Sequence, residues 1–246
     1  MAAIVGAMLN ATPDIVTDLT PAGALRTALN LGNPVLVQGT AAAPTGVTVD
    51  IANEIAARLG VEPEFQCFAG ARESFESTAA GEADICFLAI EPARAEKIAF
   101  TAPYVLIEGV YAVRRESPLV TVADVDHEGI RIGVKHGSAY DLFLTRTLRQ
   151  ATIVRGAEGT EAFVSGNLQV AAGVREPMTE FVAAHPEYRL IEGRFMEIPQ
   201  ALGTVKTKRP ETIKFLHDVV EELKASGFVA ESLRRSGQTA PVAPRS

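Results

Sequence analysis

The stretch Glu91-Pro92-Ala93-Arg94 sets a carboxylate and a guanidinium three positions apart around a proline. A guanidinium presents a planar fork that matches a carboxylate bidentately and stays charged throughout the physiological pH range. Proline suits the first turn of a helix, so Arg94 is expected near a helix N-terminus, where anions are favoured. The plainer reading of Arg94 is a surface side chain paired with Glu91 or Glu96. A second passage, Lys135-His136-Gly137-Ser138-Ala139-Tyr140-Asp141, leads from a strand through a glycine turn into a helix. Ser138 with Asp141 three residues on fits a capping box. The same turn would expose backbone N–H groups to an anion. Glu91, Lys135 and His136 are also groups that acid–base chemistry uses, although a lone histidine is more often structural.

Other chemistries find no footing. The chain has no phosphate-cradling GxxxxGK[ST], no GxGxxG, no GxSxG and no His/Cys cluster at metal spacing. Neither a cofactor nor a metal is expected. With 246 residues, a net charge of −7 and no clustered Lys/Arg run, it lacks the basic stripe that nucleic acid requires. No apolar run is long enough to span a bilayer, so no membrane insertion is expected. The start, Met1 to Leu9, is apolar but short and has no basic residue before it, so no secretory signal is read there. Cys67 and Cys86 lie in apolar, strand-like segments and read as reduced core thiols.

Positioning these residues falls to an alternation of strands and helices. Residues up to about Thr20 read as a loose arm. A strand at Leu25–Leu31 follows, then a helix with Ile51, Ile55 and Leu59 on one stripe and Gly60 as its stop. Strands at Glu64–Phe68 and Ile85–Ile90 flank a helix through Phe75. A second set begins at Val110–Val113. It continues with strand Ile130–Val134, helix Ser138–Gln150, strand Thr152–Val154, helix Glu161–Ser165 and strand Val170–Val174. The last helix starts near Pro210, and the Pro-rich tail from Gln238 reads as frayed. Such alternation predicts an α/β protein with two mostly parallel sheets covered by helices, each set in its own sheet.

Four passages together resemble a known family. They are Gly46 to Ile51 with Leu59-Gly60-Val61; Gly81 to Asp84 with Pro92-Ala93-Arg94 and Phe100 to Tyr104; Gly133 to Tyr140; and Ala225 to Phe228. In order and spacing they resemble the extracellular solute-binding proteins, family 3, which serve polar amino-acid ABC importers. The resemblance runs from about Leu25 to Leu233. It implies a type II periplasmic-binding-protein-like fold of two lobes, with a ligand cleft between them and closure by a hinge. Residues 1–107 plus 197–246 would form the first lobe and 108–196 the second, with crossings near 107–110 and 194–198. The implied function is binding of a small carboxylate-bearing solute, amino-acid-like or an organic acid, by a monomer that meets an ABC permease. Two alternatives stay open: a cytosolic metabolite sensor, and an enzyme similar to cyclohexadienyl dehydratases. The family implies a periplasmic location, while the unread signal leaves the cytoplasm open.

The resemblance also implies site residues. Arg94 matches the position that grips the ligand carboxylate, and Ser138 with the turn residue Gly137 matches the contact from the second lobe. Ala89 and Asn33 fall on the cleft side of the first lobe. Departures from the family stand out. Where the family places an acid for the ligand's amino group, this chain has Val174-Arg175. Arg175 suits a second carboxylate if it faces the cleft and carries no role if it faces solvent. Glu91 stands where threonine is usual, in a segment shorter than the family norm, as a substitute acid or a poor helix cap. Asn33-Pro34-Val35 replaces aromatic residues that sandwich a side chain, and the chain has no Trp. An ordinary α-amino acid is therefore a doubtful ligand. In the family's sheet order one strand separates those bearing Cys67 and Cys86, which puts the thiols beyond disulfide reach.

Overall fold

The computed structural model describes residues 9–246. The reading of residues 1–8 as an apolar stretch without a signal lies outside them. Helix α1 (Pro13–Leu19) replaces the loose arm expected there: Pro13 opens it, Thr12 caps it through its side chain, and Leu19 is fully buried. Strand β1 (Leu25–Asn30) follows, then a small hairpin of β2 (Gln38–Thr40) and β3 (Ala43–Thr45). Helix α2 (Val47–Leu59) buries Ile51, Ile55 and Leu59 and ends at Gly60, whose φ of 70° is the left-handed cap conformation that favours glycine. Next come β4 (Pro63–Phe68), α3 (Ala71–Ala79), β5 (Ile85–Ala89) and the short α4 (Pro92–Ala95).

Strand β6 (Ile98–Arg114) is 17 residues long, where the sequence suggested a strand only from Val110. The second set then runs β7 (Arg131–Lys135), α5 (Ala139–Thr147), β8 (Thr152–Gly156), α6 (Gly159–Ser165), β9 (Val170–Val174), α7 (Arg175–Ala184) and β10 (Tyr188–Leu190). Strand β11 (Met196–Val205) returns to the first lobe, followed by α8 (Pro210–Ala225) and α9 (Phe228–Arg235). Helix α8 packs on β6, α1, α2 and β11, and α9 packs on α2, so the C-terminal helices belong with the first set.

Hydrogen bonding follows one path, β4-β1-β5-β11-β6-β9-β7-β8, with β10 also on β6. Two separate sheets were expected, and this corrects that expectation. The cause is the length of β6: at ~3.3 Å per residue it reaches ~55 Å, enough to serve both lobes. Its first half pairs antiparallel with β11 from Ile98 to Gly109, and its second half pairs with β9 from Gly109 to Val113. Within each lobe the inner strands are parallel: β1 with β4 and β5, β7 with β8 and β9. The lobes are thus two helix-covered sheets sharing one long strand.

Both faces of these strands are buried, as parallel sheets require. Along β5, Ile85, Phe87 and Ala89 enter the main core while Cys86 and Leu88 enter a second one with Ala28 and Ile98. Along β6, Tyr111 and Val113 face the main core, and Val110 and Ala112 pack with Phe163, Met178 and Tyr188. Strand β1 lies between β4 and β5, and Cys67 and Cys86 are both free thiols. Burial pushes the Cys86 thiol up to about 12. Asp84, in the turn before β5, is structural: its carboxylate takes a bidentate grip from Arg26 and the Arg26 backbone N–H.

The tail departs from its expected fraying. Leu106 N–H donates to Pro241 C=O at 3.0 Å, Ala243 N–H donates to Tyr104 C=O at 3.0 Å, and Ala240 and Ala243 are buried. The buried ammonium of Lys224 donates to Pro103 C=O and to Pro244 C=O. Backbone pairing to the free edge of β6, rather than side-chain character, holds these residues.

Candidate ligand-binding cleft

A cavity of about 350 Å³ lies where the lobes meet at β6 and β11. The first lobe contributes Asn33, Ala89 and Arg94, the shared strands Ile107, Ile198 and Gln200, and the second lobe Lys135, Ser138, Glu158 and Val174. The expected crossings face each other here: Ile198 pairs with Ile107 and Met196 with Gly109.

Arg94 is the most consequential side chain. Pro92 opens α4 as anticipated, and the turn drives the guanidinium inward until the residue is only 3% exposed. It donates from Nη1 to Ala89 C=O at 3.2 Å and from Nη2 to Gly137 C=O at 2.9 Å, across to the second lobe. Among the described residues no carboxylate lies within ion-pair distance of it. Two of its five donors are therefore satisfied by neutral carbonyls, and none by a carboxylate. Burial drives its pKa down to about 10, against an opposing pull from the nearby Glu91 charge. An enclosed cation in this state lowers its free energy most by taking up an anion.

The turn before α5 meets Arg94 from the other side. Gly137 adopts φ of 71°, and a Cβ there would stand 2.8 Å from Cβ of Arg72, so only glycine fits. Its N–H donates to the Asp141 carboxylate at 2.8 Å. Ser138 Oγ accepts from Asp141 N–H at 3.1 Å, and the residue stands on the cavity wall beside Tyr140. The capping role expected of Ser138 is met, and the residue also lines the cavity.

The remaining expected residues divide. Ala89 and Asn33 line the cavity, and Asn33 Oδ1 is buried without a hydrogen-bond partner. Glu91 does not line it. Its carboxylate is 3% exposed and pairs with Arg146 of α5 at 2.5 Å, an ion pair between the lobes. Glu91 does not act as a substitute acid in the cavity, and it holds the N-cap position of α4 without a side-chain cap bond, the poor cap that was one of the two expectations. Arg175 also turns away, because Glu108 on β6 takes its Nε and Gly193 C=O accepts from its Nη2 at 2.7 Å. A second carboxylate contact from Arg175 is therefore corrected: the start of α7 aims it at the hinge. Lys135 and His136 line the cavity, and Lys135 pairs with Glu158 at 2.5 Å.

Glu158, Gln200, Met178 and Phe181 were missed in the sequence. Of these only Gln200 left a signal, as a polar residue inside the apolar strand β11. No group of acidic, histidine or cysteine side chains among the described residues could hold a metal. No helix among them is long and apolar enough to cross a membrane.

Two helix-covered lobes sharing one long strand, with a cavity at their seam, define a two-lobed binding-protein fold. The family model for bacterial extracellular solute-binding proteins, family 3, matches residues 27–238, and the chain belongs to that family. Among solved structures it is similar to a mutant of ArgBP from T. maritima, with a TM-score of 0.74 and 23% identity over 91% of this chain and 99% of that one. It is also similar to the amino acid ABC transporter substrate-binding protein AbpA from Streptococcus pneumoniae, bound there to L-arginine. The TM-score is 0.73 and the identity 19%, over 89% and 96% of the two chains. At these identities the likeness is one of fold. A stretch of 135 residues, 52% of this chain, is 30% identical to membrane-bound lytic murein transglycosylase F of Maricaulis maris (strain MCS10). The match spans 28% of that protein's length.

Proposed function

We propose that this chain binds a small carboxylate-bearing solute, amino-acid-like or an organic acid, between its lobes and presents it to an ABC-type permease. The observation that carries the reading is Arg94: a buried guanidinium on the cavity wall, bonded only to carbonyls, with no protein anion against it. A carboxylate placed there would meet the free donors of Arg94 and the Ser138 hydroxyl from opposite lobes. Ligand binding would then bridge the lobes and favour closure. The hinge is proposed at residues 107–110 and 194–198, which leaves 1–107 with 197–246 as the first lobe and 108–196 as the second.

A thermal-shift screen of amino acids and organic acids, followed by calorimetry on the best binder, tests this reading. Saturable binding that is lost in Arg94→Ala is expected. Binding indifferent to Arg94 would overturn it. Lys135 and Glu158 neutralise each other, and among the described residues no hydrogen bond joins a lining hydroxyl or thiol to Lys135, His136 or Glu158, so binding without turnover is proposed. Prephenate and arogenate should emerge unchanged from prolonged incubation, and their conversion would replace binding by lyase chemistry.

A further inference from the structure

The cavity carries a charge pattern that narrows the solute. Among the described residues its lining holds two cations, Arg94 and Lys135, and a single carboxylate, Glu158. Lys135 and Glu158 cancel as an ion pair at 2.5 Å. Of these three charges one is left over, the positive charge of the Arg94 guanidinium. A monoanion neutralises it. An α-amino acid, a zwitterion, brings no net charge and places an ammonium group close to the carboxylate it donates. No unpaired carboxylate lines the cavity to receive that ammonium.

A neutral group able to read a substituent beside the carboxylate is Gln200. It is 5% exposed and lines the cavity, and its side-chain amide makes no hydrogen bond among the described residues. Its backbone register places it opposite Ala89, whose carbonyl accepts from Arg94. Facing residues of antiparallel strands hold their side chains on one face, about 5 Å apart. Gln200 therefore stands beside the carboxylate grip. A neutral amide donates and accepts but cannot offset an ammonium charge. Beyond it the second lobe offers Val174, Met178 and Phe181, an apolar bed for the solute's chain.

We propose that the site selects 2-hydroxy or 2-oxo monocarboxylates with an apolar chain over the matching α-amino acids, with Gln200 as the residue that reads the oxygen at the second carbon. This proposal rests on the cleft being a carboxylate-binding site. Any such acid whose second carbon bears a neutral oxygen pairs its carboxylate with Arg94 and leaves no buried ammonium unmatched.

The test is a matched thermal-shift and calorimetry panel. It comprises leucine, valine, alanine and arginine with the 2-hydroxy and 2-oxo acids of the same skeletons, on the wild type, Gln200→Leu and Gln200→Glu. The expected result is at least about tenfold tighter binding of a hydroxy or oxo acid than of its amino counterpart, one lost hydrogen bond to a charged or enclosed partner being worth about that factor. Gln200→Leu should weaken the hydroxy and oxo acids and so narrow that preference, by the hydrogen bond it removes. Gln200→Glu should turn it toward the amino acid, because it supplies the missing anion. Amino acids binding more tightly to the wild type would overturn this inference and leave the carboxylate-binding reading intact. A panel with no binder at all would overturn both. A preference that survives undiminished in both variants would remove Gln200 from the role, and circular dichroism on each variant separates that outcome from misfolding.

Discussion

Glu91 and Arg94 stand three residues apart at one end of α4, each only 3% exposed, yet they meet the second lobe differently. Glu91 pairs its charge with Arg146, a protein cation. Arg94 crosses to the same lobe and meets only the Gly137 carbonyl. A charge matched within the fold contributes to holding the lobes together whatever the cavity contains. A charge left unmatched makes closure depend on what enters. The contrast separates a latch from a proposed binding group, a difference that the closeness of the two residues in sequence conceals.

The largest effect expected is on affinity in Arg94→Ala. Removing one partner of an enclosed charge pair costs about 3–5 kcal/mol, and each 1.4 kcal/mol is about tenfold, so binding of the best screened carboxylate should weaken by about two to three orders of magnitude. Arg94→Lys should weaken it less, since lysine keeps the charge and loses the fork. Thermal stability of the unliganded protein should hardly fall. Unchanged affinity with lost stability would instead assign Arg94 to the class of Glu91.

Glu91→Gln should show the opposite balance. Arg146 is 41% exposed and returns to water when its partner is neutralised, so a loss of about 1 kcal/mol is expected. Small-angle scattering of the unliganded protein should register a more open average shape, while calorimetry records a fall in affinity of less than about tenfold. A fall as large as that of Arg94→Ala would erase the distinction between latch and binding group.

Ser138→Ala should cost about 1 kcal/mol of binding, because Arg94 retains the larger share. It should also cost about 1 kcal/mol of stability through the lost cap of α5. Calorimetry and denaturant unfolding read the two losses separately.

The smallest effect concerns the second ion cluster at the hinge. Burial alone would raise the pKa of Glu108, but hydrogen bonds from Arg175 and Arg194 outweigh it and hold the carboxyl below its ordinary value. A carboxylate lowered in the folded state contributes stability above its unfolded pKa. That contribution fades as pH falls through the lowered folded value. The Tm difference between wild type and Glu108→Gln should therefore be present at neutral pH and vanish in acid. Since the Glu108 side chain is 29% exposed, solvent screening keeps the difference small. A difference that persists or grows in acid would mean that Glu108 acts through packing, not charge.

The amino-acid order by itself determined the local structure that periodicity and caps encode. Strand–helix alternation announced the α/β class. The stripe ending at Gly60 announced α2, and Pro92 and the Ser138 turn announced the two helix starts that flank the cleft. Arg94 was legible as a candidate carboxylate grip, because few other residue types suit that task, and the structure places it on the cavity wall. Tertiary structure alone decided the partners. Nothing near Glu91 in sequence pointed to Arg146, 55 residues away, and nothing near Arg175 pointed to Glu108, 67 residues away. The length of β6, the docking of the tail on its edge and the burial of Gln200 likewise depend on which strands become neighbours. Charge and hydrogen-bond capacity are properties of a side chain, but whether they are spent within the fold or kept for a solute depends on what lies within about 3 Å. Chain folding brings those neighbours together from positions that no local pattern connects.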